Sequence, residues 1–201
     1  MKRTLLPILC AATLAAAVSC GGNPENTTAD AVADTQPRLP AMHYADSTRN
    51  GRKISKDPHV IRFKERYLMY YSMAPAKDEG WTVGIAESRD LTHWTPVAIM
   101  EPAGQYESKG FCAPCALVRD DTVHLFYQTY GNNEKDAICH AWSTDGIHFE
   151  RDASNPIFAP EPAAWTCGRA IDAEVARVGD RYLMYYATRT TDYKRQIIGV
   201  A

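Results

Sequence analysis

The hexapeptide RYLMYY stands at Arg66–Tyr71 and again at Arg181–Tyr186, and this duplication constrains the fold more than any other feature of the chain. At an offset of 115 positions (181 − 66) the match continues without a gap: Asp57 meets Asp172, Val60 meets Val175, Arg62 meets Arg177, Gly84 meets Gly199 and Ala86 meets Ala201. Each copy opens on an Asp and a short apolar stretch, passes a polar turn (Lys64-Glu65 or Gly179-Asp180) and enters RYLMYY. Aromatic and branched residues behind a short polar turn predict a β-hairpin. Tyr67–Tyr71 is apolar or amphipathic on both faces, which predicts a strand buried between neighbouring sheets rather than one stripe of a helix.

A weaker copy lies between the two. Val123–Tyr127 matches Tyr67–Tyr71 at an offset of 56, with Pro114 on Pro58 and Ala113 in the place of Asp57. Behind the first two hairpins, Ser88-Arg89-Asp90-Leu91-Thr92-His93-Trp94 and Ser143-Thr144-Asp145-Gly146-Ile147-His148-Phe149 match at an offset of 55 and read as an outer strand. The repeating unit is thus roughly four strands and 55 to 60 residues, the pattern of a β-propeller, in which each blade covers the apolar face of the next. Two complete repeats and half of a third are expected, short of the roughly four to eight blades that close such a ring. A truncated or fragmentary chain is the expectation, with an apolar blade face left open.

Ahead of the repeats the chain reads differently. Lys2 and Arg3 precede an apolar run from Leu5 to Val18, interrupted at Pro7 and Thr13 and too short to span a bilayer, which predicts a signal peptide over residues 1–20. Ala17-Val18-Ser19-Cys20 before Gly21-Gly22 resembles a bacterial lipoprotein cleavage site, with Cys20 as the lipidated residue; plain secretion is the alternative. Residues 21–42 have almost nothing large to bury and predict a flexible tether, with an end-to-end distance of about 25 Å. The expected location is therefore periplasmic or on the outer membrane or cell surface, with membrane contact only through the lipid. A formal charge of −2, from 22 basic and 24 acidic residues without a basic run, excludes an electrostatic footprint for nucleic acid.

Asp57 and Asp172 are the first candidates for chemistry. The first strand of a propeller blade lines the central channel, so an Asp at its start stands where a ligand enters. Asp is also common at strand starts for purely structural reasons. Ala113 at the matching place shows that the scaffold does not require Asp there.

Lys56-Asp57-Pro58-His59-Val60-Ile61, the Ser-x-Asp segment ending at Trp94, and Ala170-Ile171-Asp172-Ala173-Glu174-Val175 together resemble the five-bladed propeller glycoside hydrolases of family 43 and its relatives, families 32 and 117. The resemblance covers roughly residues 43–201. It implies an all-β fold of the five-bladed β-propeller type, with only about two and a half blades in this chain, acting on plant or algal poly- or oligosaccharides. It also implies a three-carboxylate site: Asp57 activates the attacking water, Asp172 tunes and orients the acid, and a Glu general acid lies some sixty residues beyond Asp172, outside this chain. Hydrolysis with inversion needs a base and an acid about 6.5–9.5 Å apart so that water fits between them. Glu174, two residues past Asp172 on one strand, is too near it to straddle a sugar and is expected in a binding role. Strand alternation puts His59 on the same face as Asp57, where it can contact sugar hydroxyls or bond within the strand ends.

Further substrate contacts are expected from aromatic platforms in the segments between strands. Tyr44, Trp81, Phe111 and Trp165 are the candidates, each also able to serve as core. Arg169 can pair with Asp172, meet a sugar hydroxyl or make a structural salt bridge. A non-catalytic carbohydrate-binding propeller is the alternative class, and a phosphorylase on a related propeller would need a basic phosphate site that the sequence does not display. Neither cofactor nor metal is expected. Cys112-Ala113-Pro114-Cys115 has the spacing of a redox or zinc pair but opens a strand rather than a helix, so with Cys139 and Cys167 it reads as disulfides or buried thiols, with three pairings open.

Overall fold

A computed structural model of the chain describes residues 42–201. The expected signal segment, Cys20 and the expected tether up to residue 41 lie outside the described residues. Three antiparallel sheets follow one another along the chain. The first is β1 (Ser55–Phe63), β2 (Arg66–Met73), β3 (Thr82–Ser88) and β4 (Thr95–Ile99), hydrogen-bonded in that order. The second repeats it with β5 (Phe111–Arg119), β6 (Thr122–Thr129), β7 (Ile138–Ser143) and the short β8 (Glu150–Arg151). The third has β9 (Ile171–Val178), β10 (Arg181–Arg189) and β11 (Gln196–Val200), in keeping with the register that sets Gly199 and Ala201 on Gly84 and Ala86 of β3.

Each sheet begins with the hairpin that the repeat predicts, and the turns show why polar residues stand there. Lys64, Asp120, Asp121 and Gly179 all have positive φ, between 48° and 65°, the geometry that tight hairpin turns need to match strand twist. The matched Ser-x-Asp segments differ from expectation: they are turns before the fourth strand, not strands. Ser88 Oγ accepts the Asp90 and Leu91 amides, and Asp90 Oδ1 accepts those of Thr92 and His93. Ser143 and Asp145 make the same set with Gly146, Ile147 and His148. The side chains supply the bonds that a ladder would otherwise supply, so the chain reverses.

RYLMYY in β2 is buried on both faces, as its composition predicts. Leu68 and Tyr70 point into the core between the first and second sheets, among Val83, Ile85, Phe111, Leu125 and Tyr127. Met69, Tyr71 and Met73 point the other way, against Tyr44 and Trp94. Burial of each such side chain contributes about 1.5–3 kcal/mol. A third cluster, Ile138, Ala170, Ala173 and Tyr186, joins the second sheet to the third. The inner strands β1, β5 and β9 lie side by side, so the starts of three blades meet at one place.

Candidate active site

At the head of every inner strand the pairing slips. Between the pairs Lys56–Ser72 and His59–Tyr70, two residues, Asp57 and Pro58, stand against one, Tyr71; the same bulge recurs between Cys112 and Cys115 and between Ile171 and Glu174. The residue that absorbs it is left-handed each time, with φ of 53° at Asp57, 52° at Ala113 and 51° at Asp172. Asp tolerates this region better than Ala. The identical backbone at Ala113 nevertheless shows that the bulge forms without a carboxylate. A bulge breaks strict alternation and re-aims side chains. Hence Asp57, Pro58 and His59 all border one cleft, together with Ala113, Pro114, Asp172, Ala173 and Glu174, where alternation would have sent every second residue away. The cleft has a volume of about 260 Å³.

Asp57 is held by two donors that the sequence reading did not name. Lys56 Nζ donates to Asp57 Oδ2 at 2.6 Å, and Ser72 Oγ donates to the same oxygen at 2.7 Å. Burial opposes the Lys56 charge, but the bond to Asp57 and the nearby Asp172 outweigh it and lift its pKa above the ordinary value. Asp172 is held differently: its amide donates to Gln128 Oε1 at 2.6 Å. Burial, then repulsion from Asp57, raise the Asp172 carboxyl above the ordinary aspartate value, against the pull of Lys56 and Arg169. Two carboxyls in unlike settings at one cleft are what acid–base work on a glycosidic bond requires.

Comparison with known proteins fits this geometry. The model of the glycosyl hydrolases family 32 N-terminal domain matches residues 52–199. The chain belongs to that family. Among curated relatives, the sucrose-6-phosphate hydrolase of Zymomonas mobilis is 33% identical over 155 residues, which are 71% of this chain and 30% of the relative. This family 32 chain therefore spans under a third of that relative's length. Among solved structures, sucrose-6-phosphate hydrolase from Lactobacillus gasseri superposes with a TM-score of 0.63 at 15% identity, covering 79% of this chain and 33% of that one. The family 117 glycoside hydrolase Zg3597 of Zobellia galactanivorans superposes at 0.59 with 16% identity, covering 73% and 50%. At such identities the structural likeness speaks for the fold, and it is that of propeller glycoside hydrolases. Of the families that the motifs resemble, family 32 has a model that the chain matches.

Within this family 32 domain, the other residues singled out from sequence take varied places. His59 and Glu174 border the cleft and face each other, His59 Nδ1 standing 3.8 Å from Glu174 Oε2. Trp81 lies one step back, with Lys56 Nζ 4.9 Å from its ring centre. Tyr44 packs edge-on against Tyr71 and shares a hydrogen bond with it. Phe111 is fully buried in the core and presents no platform. Trp165 is 48% exposed in the turn Ala163–Thr166, apart from the residues lining the cleft. Arg169 makes the structural pair: its Nη2 donates to buried Asp136 Oδ2 at 3.2 Å rather than to Asp172. Cys112, Cys115, Cys139 and Cys167 are all free thiols, so the disulfide alternative gives way to the unpaired one. The signal for Ser72 and Gln128 was present, since both are polar at matching positions of otherwise apolar strands.

Proposed function

We propose that this chain carries the Asp57–Asp172 half of a glycoside hydrolase active site that acts on a fructose-containing oligosaccharide of the sucrose type. The observation that carries the proposal is the convergence of Asp57 and Asp172 on one cleft by the same left-handed bulge, Asp57 with Lys56 and Ser72 as donors and Asp172 with no donor on its carboxyl among the described residues. Curated relatives named sucrose-6-phosphate hydrolases support a fructoside among the carbohydrates that the motifs imply.

Asp57 takes the proton of the attacking water, and Asp172 keeps a neighbouring acid protonated by like-charge repulsion. The departing oxygen is protonated by a third group; Glu174 borders the cleft but stands too near Asp172 to straddle a sugar, and takes a binding role. His59 and Glu174 border the cleft, where they can meet a sugar hydroxyl directly or through an ion. The test is hydrolysis by the full-length protein on sucrose, fructan, arabinan, xylan and agar-derived oligosaccharides. Turnover of the fructosides alone is expected, and Asp57→Asn should lower it at least about a hundredfold with the fold intact. A variant within threefold of wild type removes Asp57 from the chemistry, and binding without turnover supports a carbohydrate-binding module instead. Anomeric analysis of the product adds the role of Asp57, because retention would make it a nucleophile rather than a base. Export with lipidation at Cys20 belongs to the same proposal. Fatty-acid labelling should mark the wild type and not Cys20→Ala; an unlabelled wild type removes the anchor.

A further inference from the structure

Two residues beyond each left-handed bulge position stand His59 on β1, Cys115 on β5 and Glu174 on β9, three different metal-ligating side chains at one repeat position. Their donor atoms, an imidazole nitrogen, a thiol sulfur and a carboxylate oxygen, all lie within 4.8 Å of one another. We propose that His59, Cys115 and Glu174 bind a divalent transition metal at the mouth of the cleft, with Zn²⁺ the ion that this donor set favours.

Geometry carries the argument. At 3.8 Å the His59 and Glu174 atoms are too far apart for a hydrogen bond. Two ligands that sit about 2.0–2.3 Å from one tetrahedral zinc stand roughly 3.3–3.7 Å from each other, so the 3.8 Å pair would share an ion after closing slightly. Cys115 is 1% exposed; its sulfur accepts the Val175 amide at 3.3 Å and stands within reach of the Glu174 carboxylate. Donor chemistry then selects the ion. Thiolate with imidazole favours zinc and its neighbours over magnesium or calcium, which prefer oxygen alone. Binding forms the metal–sulfur bond and releases the thiol proton to solvent, since a coordinating thiol is deprotonated outright. Three protein ligands leave a fourth position open. His59 and Glu174 both border the cleft, so that position lies beside Asp57 and Asp172. The ion would also tie the inner strands of three successive blades together at the point where their bulges meet.

The experiment uses the purified full-length protein, stripped with chelator and titrated with Zn²⁺ alone, with Co²⁺ as a spectroscopic substitute. Expected results are one ion per chain, a thiolate-to-Co²⁺ charge-transfer band and a higher thermal midpoint with zinc. Glu174→Gln and Cys115→Ser should each weaken binding at least about a hundredfold, since loss of an outer partner alone costs 10–100-fold. Cys167→Ser, outside the cluster, should bind as wild type does. If Cys115→Ser does not fold, Glu174→Gln decides alone, because its side chain is 62% exposed and supports no core. Absence of saturable zinc binding, absence of the thiolate band, or unchanged affinity in Glu174→Gln overturns the site. Loss of binding in Cys167→Ser with retention in Cys115→Ser places the ion elsewhere and overturns it equally.

Discussion

Asp172 sits where a carboxylate is disfavoured, because burial and the charge of Asp57 both favour its neutral form. A carboxyl raised above the ordinary value of 3.8 favours folding most where it is protonated, and that contribution is lost as pH rises through its folded pKa. Asp172→Asn never ionises. It is therefore expected to be more stable than wild type near neutral pH, with the two converging as pH falls below 3.8, while hydrolysis drops. Chemical denaturation across that pH range checks the point, and a variant less stable than wild type at pH 7 would mean that Asp172 is there for the scaffold. Both aspartates were legible in the sequence, through the comparison with Ala113. Their orientation was not. Alternation along the strand put Asp57 and His59 on one face, whereas the bulge brings Pro58 to the cleft as well. No local residue announces a bulge when Asp, Ala and Asp occupy its left-handed position in turn.

Between blades one position of the second strand makes a recurring stitch. Ser72 Oγ donates to Asp57 in its own blade and accepts the Ala113 amide, 2.8 Å away, from the next. Gln128, its counterpart, accepts the Asp172 amide of the third sheet. Ser72 is fully buried, so removing its oxygen strands the Ala113 amide without solvent to replace it. Ser72→Ala is expected to cost about 1–3 kcal/mol in urea unfolding and to impair hydrolysis by loosening Asp57. A cost below about 0.5 kcal/mol would show that the amide finds another partner. The hairpins and their turns could be read from the repeat because both depend on neighbours in sequence. The Ser-x-Asp turns were misread as strands because their bonds run from side chain to backbone, a competition that composition does not resolve. The buried Glu107, which accepts bonds from Tyr127 and Arg151, left no sequence signal, since its partners are 20 and 44 residues away.

One hexapeptide in two surroundings shows how far the whole molecule, rather than local sequence, decides burial. Tyr70 is 0% exposed under the second sheet, while Tyr185, its match in the third sheet, is 44% exposed. Beside Tyr185, its cross-strand partner Val200 is 58% exposed, and Ile198, opposite Ala187, is 71% exposed. These residues share a sheet face by the period-two rule and form an apolar stripe without cover among the described residues. Contiguous exposed apolar surface on an antiparallel sheet drives association when nothing else meets it. The 201-residue chain expressed by itself is therefore expected to self-associate. Ile198→Lys with Val200→Lys should suppress this without unfolding the protein, since both side chains already meet water. Tyr70→Lys should unfold it, because the same hexapeptide there has no face to spare. Light scattering at several concentrations, read with circular dichroism, separates the outcomes. A monomeric wild type, or a double variant that associates as strongly, would show that the third sheet's open face is not what brings chains together.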